Sequence, residues 1–570
     1  MGIPLLDREK LHYGPGKPPL ELIVHALLLT GLILVFILAS TQVRAYAGDV
    51  TRESFTLEGD IPTPVLRFTP PADKRLDVVA IIAHGYASDK EMMSAFAVDL
   101  AKQGITTYTF DFPGHGASTV PYGGEHHTGV VDQLIATLGE VVDYSLAHPP
   151  APNPRLVLIG YSLGTIAVGG YAIQHPHLTN LQATVLVAGI LKEQPSLTTP
   201  RNLLVLSGQF DLPGINDTAR QLIASACDVP PVRVTGVSYE CSVSANNARQ
   251  RIILPGLDHI SIITAASTHD IVLAWLRDTV DPRIGAVPVD ADVRLHWMLV
   301  GFLAAILALI PLLKLGAVAL QLRPAPPRRL VDPDAEAAET ALRPLPGFGA
   351  LVGALLVALL ILRLVLPRDF WAPEPFPFGF LGQQVSADVA IFFFFAGIAL
   401  LAMSRGIREL AHRIPGPPRY EILRQVLLAA GATAFLSVTL GGLSSYAWES
   451  LALDPLRLWR GAAYTLMVWP FFFGLRSLLI AMAPRLRHPV AVDFTASLLV
   501  LVALGGIIVL NFERLAYLGI LLPIVAIMLI ILAGVAAWSR RVAAHPVILI
   551  ATLESLLLAW ILSATLPLIA

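Results

Sequence analysis

The distribution of long apolar runs constrains the fold of this 570-residue chain more than any other feature of its sequence. One run, 20–42, has the length that a helix needs to cross a bilayer, and roughly 250 residues without such a run follow it. Apolar runs then return. They predict further spans near 296–316, 347–367, 385–403, 425–446, 460–482, 494–511, 516–537 and 546–568. The pattern indicates an anchor helix, one inserted domain and an all-α polytopic membrane domain of about eight helices.

Composition supports a membrane location for much of the chain. Charged residues make up 14% of the sequence, whereas soluble domains carry about 25%. The net charge of −2 gives no sign of a nucleic-acid partner. The low share of charged residues makes the lipid bilayer the expected partner. The sequence carries no signal for an oligomeric state. The predicted division is a cytoplasmic N-terminus at 1–19, a first transmembrane helix at 20–42, an extracytoplasmic domain at 45–292 and a membrane domain at 296–570.

Basic residues in the loops predict the orientation of the helices, because Lys and Arg are retained on the cytoplasmic side of a membrane. The N-terminus and the loops after the second, fourth, sixth and eighth spans carry most of these residues. Arg368, Arg457 and Arg514 are nearly alone in the other loops. This alternation predicts a multi-pass protein of the cell membrane with a cytoplasmic N-terminus and an exported domain.

Two further features bear on export. Ala45-Tyr46-Ala47 resembles a signal-peptidase site, but the apolar run before it is longer than a usual signal core, which favours a retained anchor. The inserted domain is exported in either case. Cys227 and Cys241 lie close in sequence, and an oxidising compartment would permit a disulfide between them. The alternative is a pair of free thiols.

The inserted domain contains the stretch Gly160-Tyr161-Ser162-Leu163-Gly164 directly after the apolar strand sequence RLVLIG. A helix-compatible sequence follows it. This context is that of a nucleophile elbow, a tight strand-to-helix turn that exposes a serine hydroxyl at its tip. Side chains at the flanking positions would clash with the backbone in such a turn, and both positions are glycine. A simple glycine-rich turn is the alternative.

The order of the neighbouring segments supports the elbow. Strand sequences end at His84, at Asp111, at Asp211 and at His259, and helical sequences lie between several of them. Alternating strands and helices predict a mostly parallel sheet, with functional groups at its carboxyl edge. A serine followed by an acid and then by a histidine is also the chain order of α/β-hydrolases.

Residues from about 55 to 280 resemble the α/β-hydrolase family, and in particular its monoglyceride-lipase and serine-aminopeptidase branch. The resemblance is carried by HGY at 84–86, DFPGHG at 111–116, GYSLG at 160–164, GQFD at 208–211 and DH at 258–259. No equally clear resemblance covers the membrane half.

This resemblance and the chemistry of the side chains imply the same roles. Ser162 is expected to be the nucleophile, His259 the base that takes its proton and later protonates the leaving group, and Asp211 the acid that orients His259. The backbone N–H groups of Leu163 and Tyr86 are expected to bind the oxyanion.

Two other acids compete with Asp211. Glu193 follows the preceding strand and is the alternative partner of the histidine. Asp258 is adjacent to His259 and cannot easily bend back to the imidazole ring, so it is expected to be structural. His84 and His115 are also expected to support loops. The stretch 125–127, Glu-His-His, is expected to be a solvated loop, and no metal or cofactor is predicted.

The connection between the strands that end at Ile190 and begin near Arg201 is short. Its roughly ten residues leave little room for the lid that many lipases carry there. Acyl chemistry profits from the exclusion of water. We therefore hypothesise that the membrane domain or the lipid surface covers the site and that the substrate is a lipid-like acyl ester. A water-facing site would instead suit small esters or peptides.

The leading hypothesis is a membrane-embedded serine hydrolase of the esterase or lipase type. A transporter-like protein whose exported domain binds or processes cargo is the competing class, and a peptidase or thioesterase of the same fold also remains open. Within the spans, Arg476 and Glu554 are candidates for a charged pair or a polar cavity. The alternatives are a snorkelling arginine and a protonated packing residue.

Overall fold

The computed structural model describes most of the chain. The described residues are 20–123, 129–242, 247–285, 292–322, 344–366, 381–405, 418–446, 451, 455–482, 489–510, 512–539, 542–543 and 546–565. They form an α/β domain after the first long helix and a helical region that begins near position 294.

A nine-stranded sheet forms the centre of the α/β domain. Its strands are β1 (Thr51–Leu57), β2 (Thr63–Thr69), β3 (Val78–Ala83), β4 (Thr106–Phe110), β5 (Arg155–Tyr161), β6 (Leu181–Val187), β7 (Leu203–Phe210), β8 (Ser238–Ser242) and β9 (Ala248–Asp258). Their order across the sheet is β1-β2-β4-β3-β5-β6-β7-β9-β8. The predicted fold class, a mostly parallel α/β sheet plus an all-α region, is confirmed.

The strands from β4 to β9 in this order run parallel to one another, whereas β1, β2 and β8 pair antiparallel at the two sides of the sheet. The central strands are continuous runs of Val, Ile, Leu and Ala, because helices cover both of their faces. Parallel strands have their carboxyl ends at one edge of the sheet. The loops after β3, β4, β5, β7 and β9 therefore meet at that edge.

Five helices accompany the sheet: α2 (Ser94–Lys102), α3 (Val130–Ala147), α4 (Gly164–Gln174), α5 (Ile215–Ala226) and α6 (Ala266–Thr279). Helices α3, α4 and α5 contribute buried residues to the core on one face, and α2 and α6 contribute to the core on the other. The sheet is thus the middle layer of three. The segment 188–202, between β6 and β7, contains no helix or strand.

Long apolar helices make up the rest of the described chain. They are α1 (Leu20–Ala45), α7 (Arg294–Ala319), α8 (Pro344–Val365), α9 (Gln384–Arg405), α10 (Arg419–Ser444), α11 (Pro455–Met482), α12 (Pro489–Leu510), α13 (Phe512–Ser539) and α14 (Val547–Thr565). Eight of them contain stretches long and apolar enough to cross a membrane, and α13 has a shorter described apolar stretch, Val525–Ser539. These helices are compatible with the predicted multi-pass protein, and their orientation stays a prediction.

The α/β domain contacts the ends of several of these helices. Arg52 Nη2 donates to the carbonyl of Ser445, just after α10, at 3.0 Å. Arg457 Nη2, at the start of α11, donates to the carbonyl of Gly116 at 3.0 Å. Arg294 Nη1, at the start of α7, donates to the carbonyl of Ser94 at 3.5 Å. The domain therefore lies at one end of the helix bundle.

The helical region buries one group of charged side chains. Arg476 Nε donates to Glu554 at 2.8 Å, and Arg476 Nη1 donates to Asp493 at 2.6 Å. The three residues belong to α11, α14 and α12, so the group joins three helices. Arg476 and Glu554 thus lie together as a charged pair, which is one of the alternatives predicted from the sequence. The third partner, Asp493, was not predicted.

Candidate active site

Ser162 stands at the tip of the turn between β5 and α4. Its φ is +49°, a left-handed conformation that is rare for a residue with a side chain. Such strain is typical of a nucleophile elbow, because the turn pushes the hydroxyl group out from the sheet edge. The N–H of Ser162 donates to the carbonyl of Val187 at 2.9 Å, which fixes the turn to β6.

The two glycines around the serine are required by close backbone contacts. A Cβ on Gly160 would lie 2.6 Å from the carbonyl oxygen of Gly164. A Cβ on Gly164 would overlap the carbonyl of Ala83 at the end of β3. The turn therefore packs against the neighbouring strand without room for a side chain. This is the physical reason for the GxSxG spacing.

The three predicted triad residues lie together at the carboxyl edge of the sheet. His259 Nε2 is 3.0 Å from Ser162 Oγ, and His259 Nδ1 is 2.6 Å from Asp211 Oδ1. Asp211 directly follows β7 and His259 directly follows β9, and these two strands are neighbours. The imidazole thus bridges a hydroxyl and a carboxylate, as proton transfer from the serine requires.

Backbone groups orient the carboxylate. Asp211 Oδ1 accepts the N–H of Leu212 at 2.8 Å, and Oδ2 accepts the N–H of Gly208 at 3.1 Å. The ring of His259 has a similar support, because the hydroxyl of Tyr161 donates to its carbonyl at 2.9 Å and the two rings lie 5.4 Å apart. The triad side chains therefore have little freedom to turn away from one another.

The predicted oxyanion donors lie on either side of the nucleophile. Leu163 immediately precedes α4, and the N–H groups at a helix start lack intrahelical acceptors and carry partial positive charge. Tyr86 follows β3 in the same loop as Gly85. A Cβ on Gly85 would lie 3.1 Å from the Cβ of Ser162, so this loop packs directly against the elbow.

The chain is similar in part to known proteins. Residues 74–220, about a quarter of the chain, match the family described as serine aminopeptidase, S33. A CIB-like hydrolase of Thermoplasma acidophilum is 15% identical with a TM-score of 0.30, over 40% of this chain and 99% of that one. A membrane phospholipase A, described as a bacterial virulence factor, is 15% identical with a TM-score of 0.30, over 45% and 96%. No curated protein matches the chain.

The family match covers strands β3 to β7, the loop after β3 and the elbow. It lies within the α/β domain, residues 51–285, which is called the hydrolase domain below. The family match ends at residue 220, after Asp211 and before His259, so the position of the histidine rests on the geometry of β9 and its following loop.

A layer of aromatic rings supports the loop that carries Tyr86 in the hydrolase domain. The ring of His115 lies 5.6 Å from that of Tyr86, 5.1 Å from His84 and 5.4 Å from Tyr122. His84 Nδ1 bonds to the carbonyl of Gly85, and Nε2 accepts the N–H of Phe112 at 3.0 Å. Neither histidine contacts Ser162 Oγ, and both lie where loop-supporting residues were expected.

Burial keeps both of these histidines neutral. It lowers the pKa of His84 to about 4 and the pKa of His115 well below its usual range. The Asp111 carboxylate and the Gly85 carbonyl raise the pKa of His84, and the Pro113 carbonyl raises that of His115, but neither effect offsets the loss of hydration. Neutral rings suit a structural role beside the oxyanion loop.

A buried ion pair, which no sequence pattern predicted, joins the loop after β3 to the loop after β4. Lys90 Nζ lies 2.6 Å from Asp111 Oδ2 and 3.2 Å from Glu91. Burial opposes the charge of Lys90, but the carboxylates of Asp111 and Glu91 outweigh it and raise the pKa. Asp111 stood in a quoted motif, but a lysine in a loop gives no sequence sign of burial.

The remaining candidate residues take no part in the hydrogen bonds between Ser162, His259 and Asp211. Glu193, the alternative acid, accepts a hydrogen bond from Gln174 at 2.8 Å. Asp258 accepts the N–H groups of Ile260 and Ser261, and these bonds, with that of Ser261 foremost, lower its pKa. Cys227 and Cys241 are joined in a disulfide. The stretch 125–127 lies outside the described residues.

Proposed function

We propose that this protein is a membrane-embedded serine hydrolase that cleaves the ester bond of a lipid-like acyl substrate. The observation that carries the proposal is the hydrogen-bonded series from Ser162 through His259 to Asp211. A hydroxyl, an imidazole and a carboxylate in this order are the machinery of acyl transfer on several unrelated folds.

The reaction follows from the geometry. Ser162 Oγ attacks the acyl carbon while its proton moves to His259 Nε2, which lies 3.0 Å away. Asp211 holds Nδ1–H and stabilises the imidazolium that forms. Collapse of the tetrahedral intermediate releases the alcohol, which takes the proton from His259, and leaves an acyl-serine. Water then attacks this ester by the same steps and regenerates Ser162.

The oxyanion is stabilised by backbone donors on both sides of the serine. The N–H groups of Leu163 and Tyr86 are assigned this role, each worth about 3 kcal/mol of barrier lowering by analogy with other acyl-transfer sites. The start of α4 adds a favourable dipole at Leu163. No metal or cofactor takes part in the proposed reaction.

Three features support a lipid-like substrate. The connection 188–202 between β6 and β7 has no helix or strand, so no helical lid arises from it. The side chain of Phe210, next to Asp211, is 65% exposed and offers an apolar surface beside the triad. The loop of Gly116, near the oxyanion side, contacts the end of the helix bundle through Arg457.

The same proposal places the hydrolase domain outside the cytoplasm. The loop charges favour this orientation, and the Cys227–Cys241 disulfide suits an oxidising compartment. The domain contacts the C-terminal end of α10 and the N-terminal end of α11. If these consecutive helices cross the membrane in opposite directions, both ends lie on the same side of it, as a single domain that contacts both requires.

An aminopeptidase is the second candidate, and the match to the serine aminopeptidase family favours it. The triad serves amide and ester substrates alike, so the walls of the site decide between them. A panel of long-chain acyl esters, short esters and aminoacyl amides, offered to the full chain in lipid nanodiscs, separates the two. Release of fatty acid supports the proposed function, and cleavage confined to aminoacyl amides supports the peptidase.

Labelling with a fluorophosphonate probe tests the nucleophile directly. The wild-type protein should be labelled, and Ser162→Ala should not be. Ser145→Ala is a matched control, because Ser145 Oγ is buried against the carbonyl of Val142 on α3, away from the elbow. Well-folded wild-type protein that resists labelling would refute the hydrolase.

A further inference from the structure

Arg457 lies where the helical region meets the hydrolase domain. It is the third residue of α11, and only 3% of its surface is exposed. Its Nη1 donates to the carbonyls of Ser563, at 3.1 Å, and of Ala564 at the end of α14. Its Nη2 donates to the carbonyl of Gly116 at 3.0 Å. One guanidinium thus binds backbone oxygens of both regions.

The helical region fixes Arg457 by itself. The last carbonyls of a helix have no intrahelical partner, so the end of α14 needs outside donors. Ser386 Oγ donates to the carbonyl of Leu562 at 2.6 Å, and Gln383 Nε2 donates to that of Ser563 at 3.1 Å. Arg457 completes this cap, and a cation at a helix C-terminus is electrostatically favourable. Its Nη2 group is thereby held toward the hydrolase domain.

The hydrolase domain fixes Gly116 from the other side. Gly116 has a φ of +51°, and a Cβ on it would overlap the carboxylate of Asp111. That carboxylate accepts the N–H of Ala117 and the N–H of Lys90, each at 2.8 Å. The direction of the Gly116 carbonyl is therefore set by a tight turn, and Arg457 binds this carbonyl oxygen.

This turn also contacts the loop that carries Tyr86. The ring of His115, one residue before Gly116, packs against Tyr86 and His84. Lys90, which is bonded to Asp111 through both its backbone N–H and its side chain, belongs to the same loop as Tyr86. A shift of the turn would therefore be passed on through both contacts to the loop that carries Tyr86, the predicted oxyanion donor.

We propose that Arg457 is a positioning residue through which the ends of α11 and α14 hold the Tyr86 loop in its working geometry. The inference rests on the proposed function and deepens it: the helical region takes part in shaping the hydrolase site. Arg457 does not touch the reacting atoms. It acts through Gly116, Asp111 and His115.

The test compares Arg457→Ala, Arg457→Gln and Arg457→Lys in the full chain in lipid nanodiscs, with a p-nitrophenyl acyl ester as substrate. Misplacement of a catalytic group by about 1 Å costs on the order of 100-fold in rate, so Arg457→Ala should lower kcat at least about tenfold. KM should change less than about threefold, because the acyl-binding walls are untouched. Arg457→Gln and Arg457→Lys retain a donor and should recover part of kcat.

Arg460→Ala is the matched control. Arg460 lies on the same helix, and its Nε donates to the carbonyl of Leu381, which belongs to the helical region. It should retain kcat within about twofold. If all four variants lose kcat alike, or if the kcat of Arg457→Ala stays within about twofold of wild type, the coupling is refuted.

Hydrogen exchange provides a readout that does not depend on activity. The backbone amides of 114–118 should exchange faster in Arg457→Ala than in wild type, and their exchange should be unchanged in Arg460→Ala. Unaltered exchange in Arg457→Ala would overturn the inference. Failure of the wild type to react with the fluorophosphonate would instead overturn the proposed function, so the two failures are distinguishable.

Discussion

The two regions of this molecule both bury charged side chains, but they arrange them differently. In the hydrolase domain, Asp211 and His259 form an open series that ends on the hydroxyl of Ser162. In the helical region, Arg476 binds both Glu554 and Asp493, so that a cation lies between two carboxylates. The first arrangement can pass a proton to a bound substrate, whereas the second joins three helices through paired charges.

The two groups also lie far apart. Arg476 is 19 residues beyond Arg457 on α11, which is about 28 Å along the helix and away from the hydrolase domain. Coulomb effects over that distance are small compared with those of direct hydrogen bonds. We therefore assign the chemistry to the hydrolase domain and the packing of three helices to the Arg476 group. Each of the following predictions tests this division.

The largest effect is expected from Asp211→Asn. The amide keeps the shape of the side chain but favours the wrong tautomer of His259, and the kcat for ester hydrolysis should fall roughly 10³- to 10⁴-fold. Asp258→Asn is the control, because its carboxylate bonds to the N–H groups of Ile260 and Ser261 and not to the ring. Equal losses in the two variants would mean that Asp211 has no special role.

Arg476→Met should cost stability without costing chemistry. It leaves two buried carboxyl groups without their cation, and breaking a buried pair costs about 3–5 kcal/mol. The thermal midpoint in detergent should fall, while fluorophosphonate labelling per folded molecule stays the same. Arg363→Met, at a half-buried position on α8, should have a smaller effect on the midpoint. Loss of labelling in folded Arg476→Met would show that the Arg476 group affects the activity of the hydrolase domain, against the division proposed here.

The sequence predicted the grouping of Ser162, Asp211 and His259 better than the residues around them. Ser162, Asp211 and His259 could be found because each follows an apolar strand and because the glycines around Ser162 have a steric reason. The ion pair of Lys90 and Asp111 was missed, since one residue of each type in two loops gives no sign that the folded chain buries them together.

The helical region shows the same limit. Arg476 and Glu554 stood out as charges within apolar runs, so their pairing was among the hypotheses. Asp493 lies only four residues after the start of α12, where an acid is ordinary. The sequence alone shows Arg457 only as a nearly isolated charge in a predicted loop. Its bonds to Gly116 and to the end of α14 depend on long-range packing, which local patterns do not encode.

The disulfide should stabilise only the hydrolase domain. It closes a loop between positions 14 residues apart, for which the chain-entropy estimate is about 3 kcal/mol. The double variant Cys227→Ser, Cys241→Ser should therefore lower the unfolding temperature of the hydrolase domain. This temperature is measured as the loss of fluorophosphonate labelling on heating. Proteolysis of the helical region should be unchanged. Destabilisation of the helices would show that the two regions unfold as one unit.

The smallest effect concerns pH and the layer beside Tyr86. His84 has a pKa of about 4 in the folded protein and about 6.5 when unfolded, so only the unfolded chain takes up its proton between these values. The stability that this neutral ring contributes is full above pH 6.5 and is lost as the pH falls toward 4. From pH 7.5 to 5.5 the loss is about 1 kcal/mol for His84, and His115, whose pKa is lowered in the same direction, should add a loss of the same sign.

Denaturant unfolding at these two pH values measures the loss. His84→Asn removes the titrating ring, so it should lower stability at pH 7.5 but reduce the difference between pH 7.5 and 5.5. His177→Gln is the control, because His177 is exposed and should leave the difference as it is in the wild type. An unchanged difference in His84→Asn would mean that the pH dependence arises elsewhere, and the helical region, where Glu554 and Asp493 are buried, would become the place to look.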